Sequence, residues 1–287
     1  MSEFYTVKHS YNSGDLIVLL SGLNHLHKKT GKKFIIYQNL NFPAYFYDVN
    51  NNIINNIHPV KDKHDNIVCM NQGMWLMLKP LLENQDYIEK FEVWEGQEVD
   101  YDIDLTRESK TIPIPAGLLH HYAWALFPEM SCDLGNRWLD SSPFGFAITN
   151  KGKVSLLNKI IINRTQRYQN PYISYFFLQK HQDRLIFAGT EEEYLQFCST
   201  WNLNIPLLIV EDFYKLSRII ASCDGFIGNQ SFCWHLADSQ KVPRILELCT
   251  QFPNTFPTGE NGYAFYRQKA LEFYFNKLIN MSKSITI

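Results

Sequence analysis

Residues 224–237 read Asp-Gly-Phe-Ile-Gly-Asn-Gln-Ser-Phe-Cys-Trp-His-Leu-Ala and join a strand, a polar turn and a helix start able to do chemistry. Gly225-Phe226-Ile227 is a short apolar run, the pattern of a buried parallel strand. Gly228-Asn229-Gln230-Ser231 is a small polar turn, and Phe232 to Ser239 follows with helical character. A strand that feeds a helix through a tight turn aims the first unpaired backbone N–H groups of the helix off the carboxyl edge of the sheet. Those groups and the helix dipole favour a phosphate or diphosphate. Ser231 can cap the helix, and His235 lies one turn on along the same face, leaning back toward the turn. A capped core helix with a hydrogen-bonded histidine accounts for the same residues.

Two further turns fall at the ends of expected strands in the second half, Asn163-Arg164-Thr165-Gln166-Arg167-Tyr168 and Gly189-Thr190-Glu191. In open α/β sheets ligands bind off the carboxyl ends of the strands. Arg164 and Arg167 are therefore placed to hold a diphosphate bidentately and to stabilise it as a leaving group without a metal. Surface salt bridging is the plain alternative. In the first half, Ser13-Gly14-Asp15 opens the first helix. Asp15 suits an N-cap, and equally a carboxylate that takes a proton from an acceptor hydroxyl. Asp100, Asp102 and Asp104 imitate an Asp-x-Asp metal motif, but alternation with Tyr101, Ile103 and Leu105 reads more simply as a half-exposed strand. His120 and His121 are helix neighbours about 100° apart, which does not suit shared metal ligation.

The elements that must position these groups follow a β/α alternation. Strands are expected over residues 4–8, 33–37, 87–94, 101–105, 158–163, 184–188, 205–210, 225–227 and 243–248. Helices are expected over 16–30, 74–82, 118–127, 191–200, 213–223, 232–239 and 268–281. Leu16, Leu19, Leu20, Leu23 and Leu26 form a core stripe on the first helix, and Gly31 ends it. The opening β-α-β unit implies a parallel sheet. The Asn-rich stretch 50–56 gives no clear element. A Gly-, Pro-, Asn- and Ser-bearing segment over 131–153 reads as a junction, giving an N-terminal domain over 1–150 and a C-terminal domain over 151–287, two Rossmann-like halves facing a cleft.

The chain has 287 residues, 45% of them hydrophobic and 15% aromatic, with a formal net charge of −2. That balance gives no bulk electrostatic drive toward nucleic acid. No apolar run reaches membrane-spanning length, and the first residues lack a signal-peptide core. The six cysteines are scattered without a C-x-x-C pair, which suits reduced thiols in a cytoplasmic protein.

The early Ser-Gly-Asp-Leu turn paired with Phe226-Ile-Gly-Asn-Gln-Ser-Phe-Cys-Trp-His-Leu-Ala and Val242-Pro243 resembles the heptosyltransferase-type, glycosyltransferase family 9-like enzymes of the GT-B fold. Their late motif has the form Asn-Asp-Ser-Gly-x-x-His-x-Ala followed by Val-Pro. Asn229, Ser231, His235, Ala237, Val242 and Pro243 match it, while Gln230 stands for the Asp and Phe232 for the Gly. Asn163-Arg164-Thr165 is similar to the phosphate-binding arginine turn of fucosyltransferase-like GT-B enzymes. The resemblance implies a two-domain α/β glycosyltransferase, hexosyl- or heptosyltransferase-like, that needs no cofactor beyond a nucleotide-diphosphate sugar as co-substrate. It implies Asp15 as the base and a glycan or other hydroxyl compound as acceptor. Inversion without a metal is the expected course. The donor site would hold Asn163, Arg164, Thr165, Arg167, Gly189, Thr190, Asn229, Gln230, Ser231 and His235, with Ser13 and Gly14 on the acceptor side. A nucleotide-sugar epimerase or hydrolase of the same fold, or a non-catalytic sugar-nucleotide binder, are the alternatives.

Overall fold

The structure is a computed structural model that describes residues 3–44, 46–47, 53–54, 60–97, 100–106, 117–249 and 252–283. The chain forms two compact units. One comprises residues 1–133 with 212–214, the other 134–211 with 215–287. The boundary falls between residues 133 and 134, ahead of residues 146–155, which pair with a strand of the second unit.

In the first unit the elements are β1 (Phe4–His9), α1 (Ser13–Thr30), β2 (Lys33–Gln38), the two-residue strands β3 (Phe46–Tyr47) and β4 (Ile53–Ile54), α2 (Gln72–Glu83), β5 (Ile88–Val93), β6 (Ile103–Asp104) and α3 (Leu119–Leu126). The main sheet is parallel with order β5-β2-β1-β6. The leucine stripe of α1 is buried as expected, and Ile17 and Val18 are buried beside it. That second buried face reflects α3 and residues 128–130 packing on α1. The antiparallel pair β3–β4 supplies an element inside the Asn-rich stretch, most of which lies outside the described residues.

The second unit holds β7 (Phe146–Thr149), β8 (Gly152–Ser155), β9 (Ile160–Asn163), β10 (Leu185–Phe187), α4 (Glu191–Trp201), β11 (Leu208–Ile209), all but the first two residues of α5 (Phe213–Ser222), β12 (Gly225–Asn229), α6 (Phe232–Ser239), β13 (Arg244–Glu247), β14 (Gly262–Phe265) and α7 (Gln268–Lys283). Its main sheet is parallel throughout, with order β10-β9-β12-β13-β14. β9 and β12 are buried along their whole length, as continuous apolar strands covered on both faces must be. Ile160, Ile162, Ile227 and Ile245 share one core with Phe187, Phe197, Leu271, Phe275 and Leu278. The expected strand over 205–210 joins this parallel series only by a single bridge, Leu207 beside Phe187 of β10. It shortens to β11, which pairs antiparallel with β7 in a separate β11-β7-β8 sheet. Among the described residues no helix is long and apolar enough to cross a membrane.

Candidate functional site

The second sheet changes its direction of growth between β9 and β12. From β9 the chain adds β10 on one side, then returns to place β12 on the other. Loops leaving the carboxyl ends of two such strands diverge, and the crevice between them is where open α/β sheets bind ligands. The strand ends come close together there. A Cβ on Gly228 would lie 2.6 Å from the backbone oxygen of Asn163, so only glycine permits this approach.

Asn163 joins the three expected turns. Its Nδ2 donates to the Ala188 carbonyl at 2.6 Å, and its Oδ1 accepts from Ser231 Oγ at 2.6 Å. Ser231 is the N-cap of α6, accepting from Trp234 N at 3.1 Å, as its sequence position predicts. Asn229 bolts the first turn down. Its Oδ1 accepts from Thr165 N at 3.0 Å, while its Nδ2 donates to Thr165 O at 3.0 Å and Arg167 O at 2.5 Å. Gly189 fits against Asn163, and a Cβ there would sit 2.7 Å from the Phe187 ring and 2.8 Å from Glu193 Oε2. Thr190 caps α4 in a reciprocal box with Glu193, at 3.2 Å and 3.0 Å. Gln230 Nε2 donates to Asn254 Oδ1 at 2.8 Å, so the residue that departs from the family motif anchors the segment around 254.

Two of the expected ligand groups have other duties. Arg164 is buried, and its guanidinium faces Glu247: Nε donates to Oε2 at 2.8 Å and Nη2 to Oε1 at 2.9 Å. Glu247 is fully buried and also accepts from Asn170 N at 2.6 Å and Tyr175 OH at 2.7 Å. The register explains the pairing. Asn163 sits opposite Gly228 and Asn229 opposite Glu247, so Arg164, one step past Asn163, comes level with the carboxylate. The diphosphate role expected of Arg164 thus meets a guanidinium already engaged by Glu247, as a scaffold group would be. Burial, then the charge of Glu247, keeps the Tyr175 phenol well above its usual range, so it remains a donor. His235 is likewise buried, and burial lowers its pKa from 6.5 to about 4 against the opposing pull of Asp238. It is therefore a neutral imidazole at pH 7, able to hydrogen-bond but not to supply positive charge. Burial also pushes the neighbouring Cys233 thiol up to about 12.

Arg167 differs from Arg164. It is half-buried, and its Nε has no hydrogen-bond partner. A buried, unsatisfied guanidinium N–H at a strand-end turn is the group best suited there to an anion.

In the first unit Asn12, not Asp15, is the N-cap of α1. Asp15 stands three residues inside, and its Oδ2 accepts from Asn12 N at 3.2 Å and Asn12 Nδ2 at 3.0 Å. Ser13 is buried and Gly14 half-buried at the same turn. Asp102 Oδ2 accepts from Thr6 N at 2.6 Å and Thr6 Oγ1 at 2.9 Å, and Asp104 Oδ1 from Thr106 N at 2.8 Å, which gives both carboxylates local structural partners.

Sequence reasoning missed Glu247, Asn254, Asn170 and Tyr175. For Glu247 a signal existed: a carboxylate ending the apolar run Arg244-Ile-Leu-Glu must find a buried partner. It also missed His9, whose Nδ1 lies 2.9 Å from Gln38 Oε1 at the ends of β1 and β2 and whose pKa burial lowers to about 4.

No family of known sequence pattern matches the chain, and no curated protein matches it in sequence. Its fold does match solved structures. The glycosyl transferase family 9 protein from Veillonella parvula aligns over 98% of this chain and 90% of its own, with a TM-score of 0.56 at 10% identity. The E. coli heptosyltransferase WaaC, solved with ADP-2-deoxy-2-fluoro heptose, aligns over 95% of this chain and 99% of its own, with a TM-score of 0.53 at 12% identity. At such identities the likeness is one of architecture, and the chain has the α/β, GT-B-like fold of these glycosyltransferase structures.

Proposed function

We propose that the protein is a glycosyltransferase that takes a sugar from a nucleotide-diphosphate donor and passes it to the hydroxyl of a glycan or similar acceptor. The observation that carries this reading is the junction of three turns on Asn163 at the switch point of the second sheet, in a chain with a GT-B-like fold. The donor diphosphate lies against that junction, with the Arg167 guanidinium and the amino ends of α6 and α4 as its partners. Asp15, held by Asn12, accepts the proton of the acceptor hydroxyl. The acceptor oxygen attacks the anomeric carbon, the bond from that carbon to the phosphate oxygen breaks, and the electron pair leaves on the diphosphate. Inversion follows, with Arg167 and the helix ends bearing the developing charge in place of a metal. The six free cysteines fit a cytoplasmic setting. A non-catalytic nucleotide-sugar binder is the second reading, favoured by the diversion of Arg164 to Glu247 and of Gln230 to Asn254. Incubation with a panel of nucleotide-diphosphate sugars, with and without candidate acceptors, tests both. Acceptor-dependent release of nucleoside diphosphate supports transfer, and binding without release from any donor supports the binder.

A further inference from the structure

We propose that Tyr168 and Phe252 form the subsite for the donor's nucleobase, a platform for a planar aromatic ring beside the diphosphate position. The inference rests on the donor reading above. Tyr168 has φ of +56°, a left-handed conformation that a bulky side chain rarely adopts and that glycine or asparagine accepts at less cost. The hydrogen bonds to Arg167 O from Asn229 Nδ2 at 2.5 Å and Thr165 Oγ1 at 3.1 Å hold the peptide that imposes it. The left-handed turn does not itself favour a tyrosine, and the assignment rests on the surroundings of its ring. That ring meets Phe252 edge-on, with centroids 5.4 Å apart and planes at 76°, and the Arg167 guanidinium carbon lies 5.2 Å from its centroid. Both rings are half-buried, so each keeps surface to offer. Phe252 belongs to the segment that Gln230 grips through Asn254, which ties the ring pair to the turn ahead of α6. The unpartnered Nε of Arg167 sits beside this platform. A base stacked on the aromatic pair and a diphosphate reaching Arg167 are the two halves of one ligand, a nucleoside diphosphate.

Calorimetric titration with ADP, UDP, GDP and inorganic pyrophosphate separates the halves. Tyr168→Ala and Phe252→Ala should each weaken nucleoside diphosphate binding about 10-fold, the scale of one lost base–aromatic stack, and leave pyrophosphate affinity unchanged. Tyr168→Phe, which keeps the ring, should restore the affinity, and Arg167→Ala should weaken all four ligands. Equal losses for pyrophosphate and nucleoside diphosphates in Tyr168→Ala, or no loss in either, overturn the platform while leaving the donor reading intact. A wild-type protein that binds none of the four ligands overturns both.

Discussion

Replacing Arg164 with alanine distinguishes a scaffold arginine from a ligand arginine. The Arg164–Glu247 pair is bidentate and buried, with side-chain exposures of 8% and 0%. Removing one partner of such a pair strands a charge in a low dielectric and costs about 3–5 kcal/mol. Glu247 would keep its bonds from Asn170 N and Tyr175 OH, which places the expected loss near the lower end, about 3 kcal/mol. For a unit of this size that lowers Tm by about 6–12 °C. An arginine facing a phosphate would behave in the opposite way, costing about 1.5–3 kcal/mol of ligand affinity and almost no stability. Urea unfolding of Arg164→Ala, Glu247→Gln and the double variant Arg164→Met/Glu247→Leu reads the difference. Each single change should be strongly destabilising, and the apolar double change should recover only part of the loss, because it removes the stranded charge but leaves Asn170 N and Tyr175 OH without their buried acceptor. A stable Arg164→Ala protein that has lost affinity for nucleoside diphosphates would refute the scaffold assignment.

Three further outcomes follow from the same geometry. Asp15→Asn keeps an acceptor for Asn12, so Tm should hardly move while a general-base role would lower the single-turnover rate by about 10²–10⁴; a variant at wild-type rate removes Asp15 from the chemistry. Asn229→Asp turns two donors into acceptors facing Thr165 O and Arg167 O, and should cost about 2–4 kcal/mol in urea unfolding despite being nearly isosteric; an unchanged midpoint would show that the loop is not held there. His235 has a folded pKa of about 4 against 6.5, so as pH falls the unfolded chain takes the proton first. Stability should therefore drop between pH 6.5 and 4, by up to about 3 kcal/mol, and a His235→Gln variant should show a correspondingly flatter pH profile of Tm.

The elements legible in the sequence are those whose pattern is dictated locally. Ile160-Ile161-Ile162 and Gly225-Phe226-Ile227 are buried on both faces and could hardly be anything but core strands. The leucine spacing of α1 similarly gives its helix, yet not its first residue. Asn12, Ser13 and Asp15 can all cap, and the choice of Asn12 is a matter of backbone geometry that composition does not encode. The hairpin β7–β8 escaped notice because its pattern is weak: Ile148 is 41% exposed and its partner Ile209 in β11 51%. β14 is a four-residue, mostly half-buried edge strand, too short to show a period.

At the candidate site the sequence marks which turns matter but not which way their side chains point. Arg164 and Arg167 are three residues apart on one turn with equal claims on a diphosphate. What separates them is Glu247, 83 residues from Arg164 and brought level with it only by the parallel register of β9, β12 and β13. The same test sorts the asparagines. Asn229 uses both amide hydrogens on Thr165 O and Arg167 O and accepts from Thr165 N through its Oδ1, so it works mainly by shaping the loop. Gln230 is partly engaged through Asn254. Polar residues at a strand end thus divide into groups whose bonding is satisfied internally, which fix the shape, and groups left unsatisfied inside that shape, which can meet a ligand. Arg167, with its buried Nε unpartnered on a loop that Asn229 holds rigidly in place, belongs to the second kind.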